Sequence, residues 1–327
     1  MKTELKFKAD QMLELYKTIE KDFMWEHNLT KHFVALLYTE HDKRYNKETF
    51  KNTLDMINKE TGIFSNFRSS NRFMLAGLMH MESDSTDGVF HQIRSCESTL
   101  KENGFKSGMY LPLASYALYK TSKEQAPSQL AQKAQHIYQQ MKKNHPFLTS
   151  GDDYSMSVLL AASEVDLGRI EEAYEKLNIK GFYKGNELQR LSHILALSNR
   201  SIDELVEICF NMKWQLKEAK LNIPTTYYAT LGIIALIYFE DETIVSEWIE
   251  LTKYLSTLKK FKWLGKGMNV MLASSLVSSQ WIDETLKSEA TKLTISISID
   301  ALIAAQTAAI IAATTAASAG AAASASS

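Results

Sequence analysis

Apolar residues recur at helical spacing along most of the chain, and they do so in two alternating styles. In residues 126–144, Leu130, Ala134, Ile137 and Met141 share one stripe while Lys133, Gln140 and Lys143 lie off it. Residues 201–220 repeat this with Ile202, Leu205, Ile208 and Cys209. These are one-sided, outer helices. Between such segments lie shorter, nearly uncharged ones: LPLASYALY, SVLLAASEV, LSHILALS, TLGIIALIYF and NVMLASSLV. A helix apolar on nearly every side has to be enclosed by other helices, so these are inner helices. Ala76, Ala114, Ala161, Ala196, Gly232 and Ala273 sit near the middles of inner helices, where small side chains let helix axes approach. Pro112, Pro127, Pro146 and Pro224 fall at or just before helix starts, where the missing N–H is not needed.

The alternation has a period. A bulky residue precedes each inner helix at Phe64, Phe105, Phe147, Phe182, Ile223 and Trp263, at intervals of 41, 42, 35, 41 and 40 residues. This predicts an all-α fold of stacked helical hairpins of about 40 residues, in which neighbours share a core that no hairpin can close alone. The bulky residues are expected to be its buried anchors. An open α-α superhelix or solenoid and a closed α/α toroid both fit the spacing. The expected layout is an N-terminal helical cap over 1–60 (helices 4–23, 30–42 and 46–60), a repeat domain over 61–290, and an uncharged Ala/Ser-rich tail over 291–327. The tail opens with the alternating LTISISID, which suits a short strand. Residues 301–327 carry no charge, and alanine pairs recur every four residues through AAQT, AAII, AATT and AASA. A helix on the last hairpin, membrane association and self-association are all open to such a segment.

Composition narrows the function classes. The chain has 327 residues, 45% hydrophobic and 23% charged, as a globular protein does. Its net charge of -1 gives no general pull on nucleic acid, and no nucleic-acid partner is expected. Two cysteines, Cys96 and Cys209, neither staple a fold of this size nor make a zinc site alone. MKTELKFKAD lacks the apolar run of a signal peptide, which points to a cytoplasmic protein, with peripheral membrane association open to it. No phosphate loop, dinucleotide fingerprint, H-E-x-x-H, G-x-S-x-G or C-x-x-C is present, so no cofactor and no metal are expected.

The segments FSNFRSSNRFMLAGLMHMES, NGFKSGMYLPLASYAL, KNHPFLTSGDDYSMSVLLAAS and GNELQRLSHILALS, with the Ala/Ser-rich tail, resemble the Firmicutes family of unknown function DUF4003. The resemblance covers nearly the whole chain. It implies a cytoplasmic bacterial protein and brings no activity, cofactor or catalytic residue with it.

Three clusters could carry chemistry. His80, Glu82 and Asp84 in HMESD, with Asp152 and Asp153 in TSGDDYSM, could supply a carboxylate/His site at one end of the helix stack, His145 and His193 converging on the same mouth. The plainer alternative makes His80 a helix-end cation and the aspartates first-turn acids behind a Ser150 cap. Arg68 and Arg72 flank Ser69 at the start of an inner helix and could hold a phosphate or carboxylate, or simply pair with neighbouring hairpins. Lys259, Lys260, Lys262 and Trp263 in KKFKWLGK could contact a membrane or a partner, or frame one more buried anchor. The expected function is a non-enzymatic scaffold binding a protein or peptide in a concave groove. The alternatives are an α/α-toroid enzyme, and a peripheral membrane protein acting through residues 259–327.

Overall fold

A computed structural model describes residues 2–69, 71–122, 126–238 and 243–285, together with 303, 304, 307, 308 and 311. Among these residues the fold is all-α and contains no strand. The alternating stretch at 293–300 lies outside the described residues.

The helices come in antiparallel pairs. Outer helices α1 (Thr3–Asp22), α3 (Lys47–Glu60), α5 (Thr86–Glu102), α7 (Pro127–Asn144), α9 (Leu167–Ile179), α11 (Ile202–Glu218) and α13 (Thr243–Thr257) each pack on an inner helix that follows them. The inner partners are α2 (Asn28–Glu40), α4 (Arg72–Glu82), α6 (Leu111–Thr121), α8 (Tyr154–Ala162), α10 (Asn186–Ala196), α12 (Tyr228–Ile237) and α15 (Gly265–Thr285), the last preceded by the single turn α14 (Lys259–Lys262). Packing runs unbroken across residue 60, because α2 and α3 both lie against α4.

The inner helices touch in the cyclic order α2, α4, α6, α8, α10, α12, α15 and back to α2. The chain therefore closes into a ring. The seam joins the first hairpin to the last: α1 meets α13 and α15, the Tyr254 hydroxyl donates to Asp10, Lys260 pairs with Glu20 at 2.5 Å, and Gln280 Nε2 donates to Glu4 Oε2 at 3.3 Å. Closure buries the inner helices all round, from Thr30 to Glu40 in α2 and from Leu188 to Ala196 in α10. One continuous core runs from Leu5 through every hairpin to Ile303, Ala304, Ala308 and Ile311. These tail residues and Thr307 are spaced as one face of a helix, and each is buried.

Three of the expected anchors are displaced. Phe105 and Phe182 are buried and Ile223 is partly so, but Phe64, Phe147 and Trp263 stand almost fully in solvent. A neighbour in the same turn takes the inward place: Phe67 for Phe64, Leu148 for Phe147 and Phe261 for Trp263. Each of these turns holds more than one apolar residue, and spacing does not say which one the bend turns inward.

Small residues do set close approaches. A Cβ built on Gly232 of α12 would lie 2.7 Å from Cγ2 of Ile194 on α10, a β-branched side chain with little room to move. Gly232→Ala should lower stability by about 1–3 kcal/mol through overpacking. A urea titration should show a lower midpoint with an unchanged slope.

Candidate functional site

Because all the hairpins alternate in the same sense, every outer-to-inner turn lies at one end of the ring and every inner-to-outer turn at the other. Hydrogen bonds join neighbouring turns at each end. At the first end Asn71 Nδ2 donates to the Met109 carbonyl, the Lys106 N–H to the Tyr154 hydroxyl, and Gln189 Nε2 to Thr149 Oγ1. At the second end Lys43 Nζ donates to the His80 carbonyl, and Arg169 to the carbonyls of Ser198 and Arg200.

The carboxylate/His candidates separate onto these two ends. His80 and Glu82 close the C-terminal end of α4, whereas Asp152 and Asp153 precede the N-terminus of α8. His80 is buried, shares a 2.9 Å hydrogen bond with Thr53 Oγ1 and stacks on Phe50 with ring centroids 5.4 Å apart. Burial, assisted by the Lys43 cation and opposed by Asp84, lowers its pKa to about 4. Glu82 accepts from Lys120 and, at 2.9 Å, from the Tyr116 hydroxyl, forming a half-buried ion pair between α4 and α6.

The second cluster is larger than the sequence shows. Asp152 Oδ2 pairs with Arg190 at 2.9 Å, and Arg190, buried within α10, pairs at 2.8 Å with Glu187. Asp153 accepts from the Ser150 N–H at 2.9 Å. Burial first, then the neighbouring Asp152 charge, raises the Asp153 pKa to about 7, against the pull of Ser150 and Arg190. This carboxyl holds a proton well above the usual carboxylate range, yet its surroundings are closed and paired. Arg190 was missed in the sequence: it shares its inner segment with Glu187, Gln189 and His193 and meets Asp152 only across 38 residues. His193, three residues further along α10, is fully buried and its pKa falls to about 3, again from burial with Arg190 adding. His145 lies on α7's C-terminal cap, where Nε2 meets Glu171 at 3.0 Å.

The arginine pair is committed to the fold. Arg68 donates through Nε to Thr61 Oγ1 at 3.2 Å and through NH2 to the carbonyls of Asn58 and Thr61, covering the C-terminal end of α3. Arg72 pairs with Glu26 at 2.7 Å and donates to Asn58 Oδ1 at 3.0 Å. Ser69 Oγ accepts from the Asn71 N–H at 3.3 Å. Both thiols are buried, and burial pushes that of Cys96 up to about 11. Among the described residues the one trio that could hold a metal is Glu60, Asp87 and His91, with His91 Nε2 at 3.7 and 3.8 Å from the two carboxylates on an open surface.

What the structure adds lies on the first end. Trp25, Phe64, Phe147, Tyr183 and Trp263 are 73–97% exposed, and all five occupy outer-to-inner turns. Met24 and Ile63 stand beside two of them. Burial of one such side chain is worth about 1.5–3 kcal/mol, so these five add little to the stability of the isolated chain and could add it on contact with another surface. What sets them apart from apolar residues scattered singly is that they gather at one end of the ring. Lys259 and Lys262 are exposed beside Trp263, while Lys260 turns to Glu20.

Fold and surface define a closed ring of helical hairpins with one aromatic end. The chain belongs to the family described as "Protein of unknown function (DUF4003)", whose profile matches residues 15–308. It is 29% identical over 315 residues to the Bacillus subtilis (strain 168) protein printed as "Uncharacterized protein YeaA", covering 93% of each chain. No solved structure matches it. Among the described residues, no helix is long and apolar enough to cross a membrane.

Two predictions separate structural from catalytic roles. Glu82→Ala leaves Lys120 and the Tyr116 hydroxyl without this shared acceptor in a mostly buried site and should cost about 1–3 kcal/mol, measured by urea unfolding. The second concerns acid. Burial holds the pKa values of His32, His80 and His193 at about 4, 4 and 3, below their ordinary value, so the unfolded chain binds protons that the folded one refuses. Their contribution is present above pH ~6.5 and is lost as pH falls towards 4. Asp153 has the opposite sign: its raised pKa favours the folded state at low pH, and that gain disappears as pH rises through about 7. Asp153→Asn should therefore steepen the acid loss of stability between pH 6.5 and 4, read from urea midpoints across that range.

Proposed function

We propose that this protein is a non-enzymatic docking module whose contact face is the aromatic end of the ring. The observation that carries this reading is the placement of Trp25, Phe64, Phe147, Tyr183 and Trp263 in the turns of that end, exposed. An open stack would offer a partner its concave inner faces. Here the described inner faces are buried, which leaves the ends and the outer wall for contact. The paired, enclosed state of the Asp152–Arg190–Glu187 cluster supports a role in holding α8 to α10.

The test compares full-length protein with a Trp25→Ser/Phe64→Ser/Phe147→Ser/Trp263→Ser variant, each affinity-captured from host lysate and from the solubilised membrane fraction. Wild type should retain a stoichiometric partner or sediment with membranes, and the variant should lose it at unchanged melting temperature. Equal retention by the two proteins would sink the reading.

A further inference from the structure

We infer that the surface this end docks on is a lipid bilayer bearing anionic headgroups, with the exposed rings entering the headgroup region and lysines of the same turns lying over the phosphates. The inference rests on the docking-end reading above and names its partner.

The first support is the layout of the apolar tips. They belong to the first, second, fourth, fifth and seventh hairpins; the seventh, first and second adjoin across the seam and the fourth and fifth adjoin each other, so the tips form two groups separated around the ring instead of filling one groove. Separated tips at one end of a rigid ring suit a broad, deformable plane better than the continuous packed patch at the centre of a protein interface. Tryptophan and tyrosine are the residues that settle at bilayer interfaces, having an apolar body with a polar edge.

The second support is charge. Among the described residues of the outer-to-inner connections, α14 included, the exposed charged side chains are Lys106, Lys180, Lys184, Lys220, Lys259 and Lys262; Lys180 pairs with Glu207, and the exposed acids at this end, Glu102 and Glu218, are the last residues of α5 and α11. The acids in those turns are withdrawn: Glu26 onto Arg72, Asp152 onto Arg190, and Asp153 into the interior. The whole chain is nearly neutral, so this bias is local. Basic residues interleaved with aromatic ones are what an anionic membrane surface attracts and then retains.

The third support concerns a second copy as occupant. None of the described, exposed large apolar residues lies in an inner-to-outer turn, so a copy stacked head to tail would leave the rings without an apolar counterpart. Two aromatic ends face to face would bring the lysines together.

The experiment is co-sedimentation of the full chain with phosphatidylcholine vesicles, with and without phosphatidylglycerol. Wild type should pellet with the anionic vesicles only, and high salt should release it. The quadruple Trp25→Ser/Phe64→Ser/Phe147→Ser/Trp263→Ser variant and Lys259→Glu/Lys262→Glu should each weaken binding about tenfold or more. In the unmutated protein, brominated phosphatidylglycerol should quench tryptophan fluorescence, a readout that needs no variant to fold. Wild type that stays in the supernatant, or that binds neutral vesicles equally, overturns the bilayer. If vesicles fail while the quadruple variant still loses a protein retained by wild type, the bilayer falls and the docking end stands. A self-association seen by sedimentation velocity and lost in the variant would likewise replace the bilayer with a second copy. If wild type and variant agree in every assay, both readings fall.

Discussion

Closure of the ring is the constraint from which the remaining features follow. A helical hairpin buries one face between its own helices and needs neighbours for the rest. In an open stack the two terminal hairpins keep an uncovered side, and the inner helices present a groove. Here α15 fills the gap between α12 and α2, so the first hairpin receives the neighbour that an end would lack. The inner helices can then be apolar all round, and the polar surface retreats to the outer wall and the two ends.

Arginine does much of the joining between turns. The chain has seven, few for its length, and six of them have defined partners. Arg68, Arg94, Arg169 and Arg200 donate to carbonyls at helix ends, including Asn58, Glu60, Ser198 and Tyr238. Arg72 and Arg190 pair with carboxylates of the preceding hairpin. A planar, always-charged fork satisfies two acceptors at once, so it suits the carbonyls that every helix terminus leaves over. Two guanidiniums four residues apart invite the reading of an anion site, yet Arg68 and Arg72 neutralise polar groups that the fold itself creates.

The helical class was legible in the sequence because enclosure forbids charge. Segments such as LPLASYALY and TLGIIALIYF can be stable only inside. The candidate site was less so. Phe64, Phe147 and Trp263 fit the spacing of anchors, but direction within a turn is set by backbone bends that spacing does not encode. The segregation of His80 and Glu82 from Asp152 and Asp153 was present in the sequence, since the first pair ends an inner helix and the second begins one. Recognising it required knowing that all inner helices point the same way. The Asp152–Arg190 pair spans 38 residues and belongs to the packing of α8 on α10. Only the three-dimensional arrangement brings those charges together.

Closure also fixes how such a protein can change in length over evolution. A linear array tolerates the gain or loss of a unit, because each junction resembles the next and the ends simply move. A ring has a definite circumference. Adding or deleting one hairpin of about 40 residues would alter the angle at every junction together, so length becomes a property of the whole.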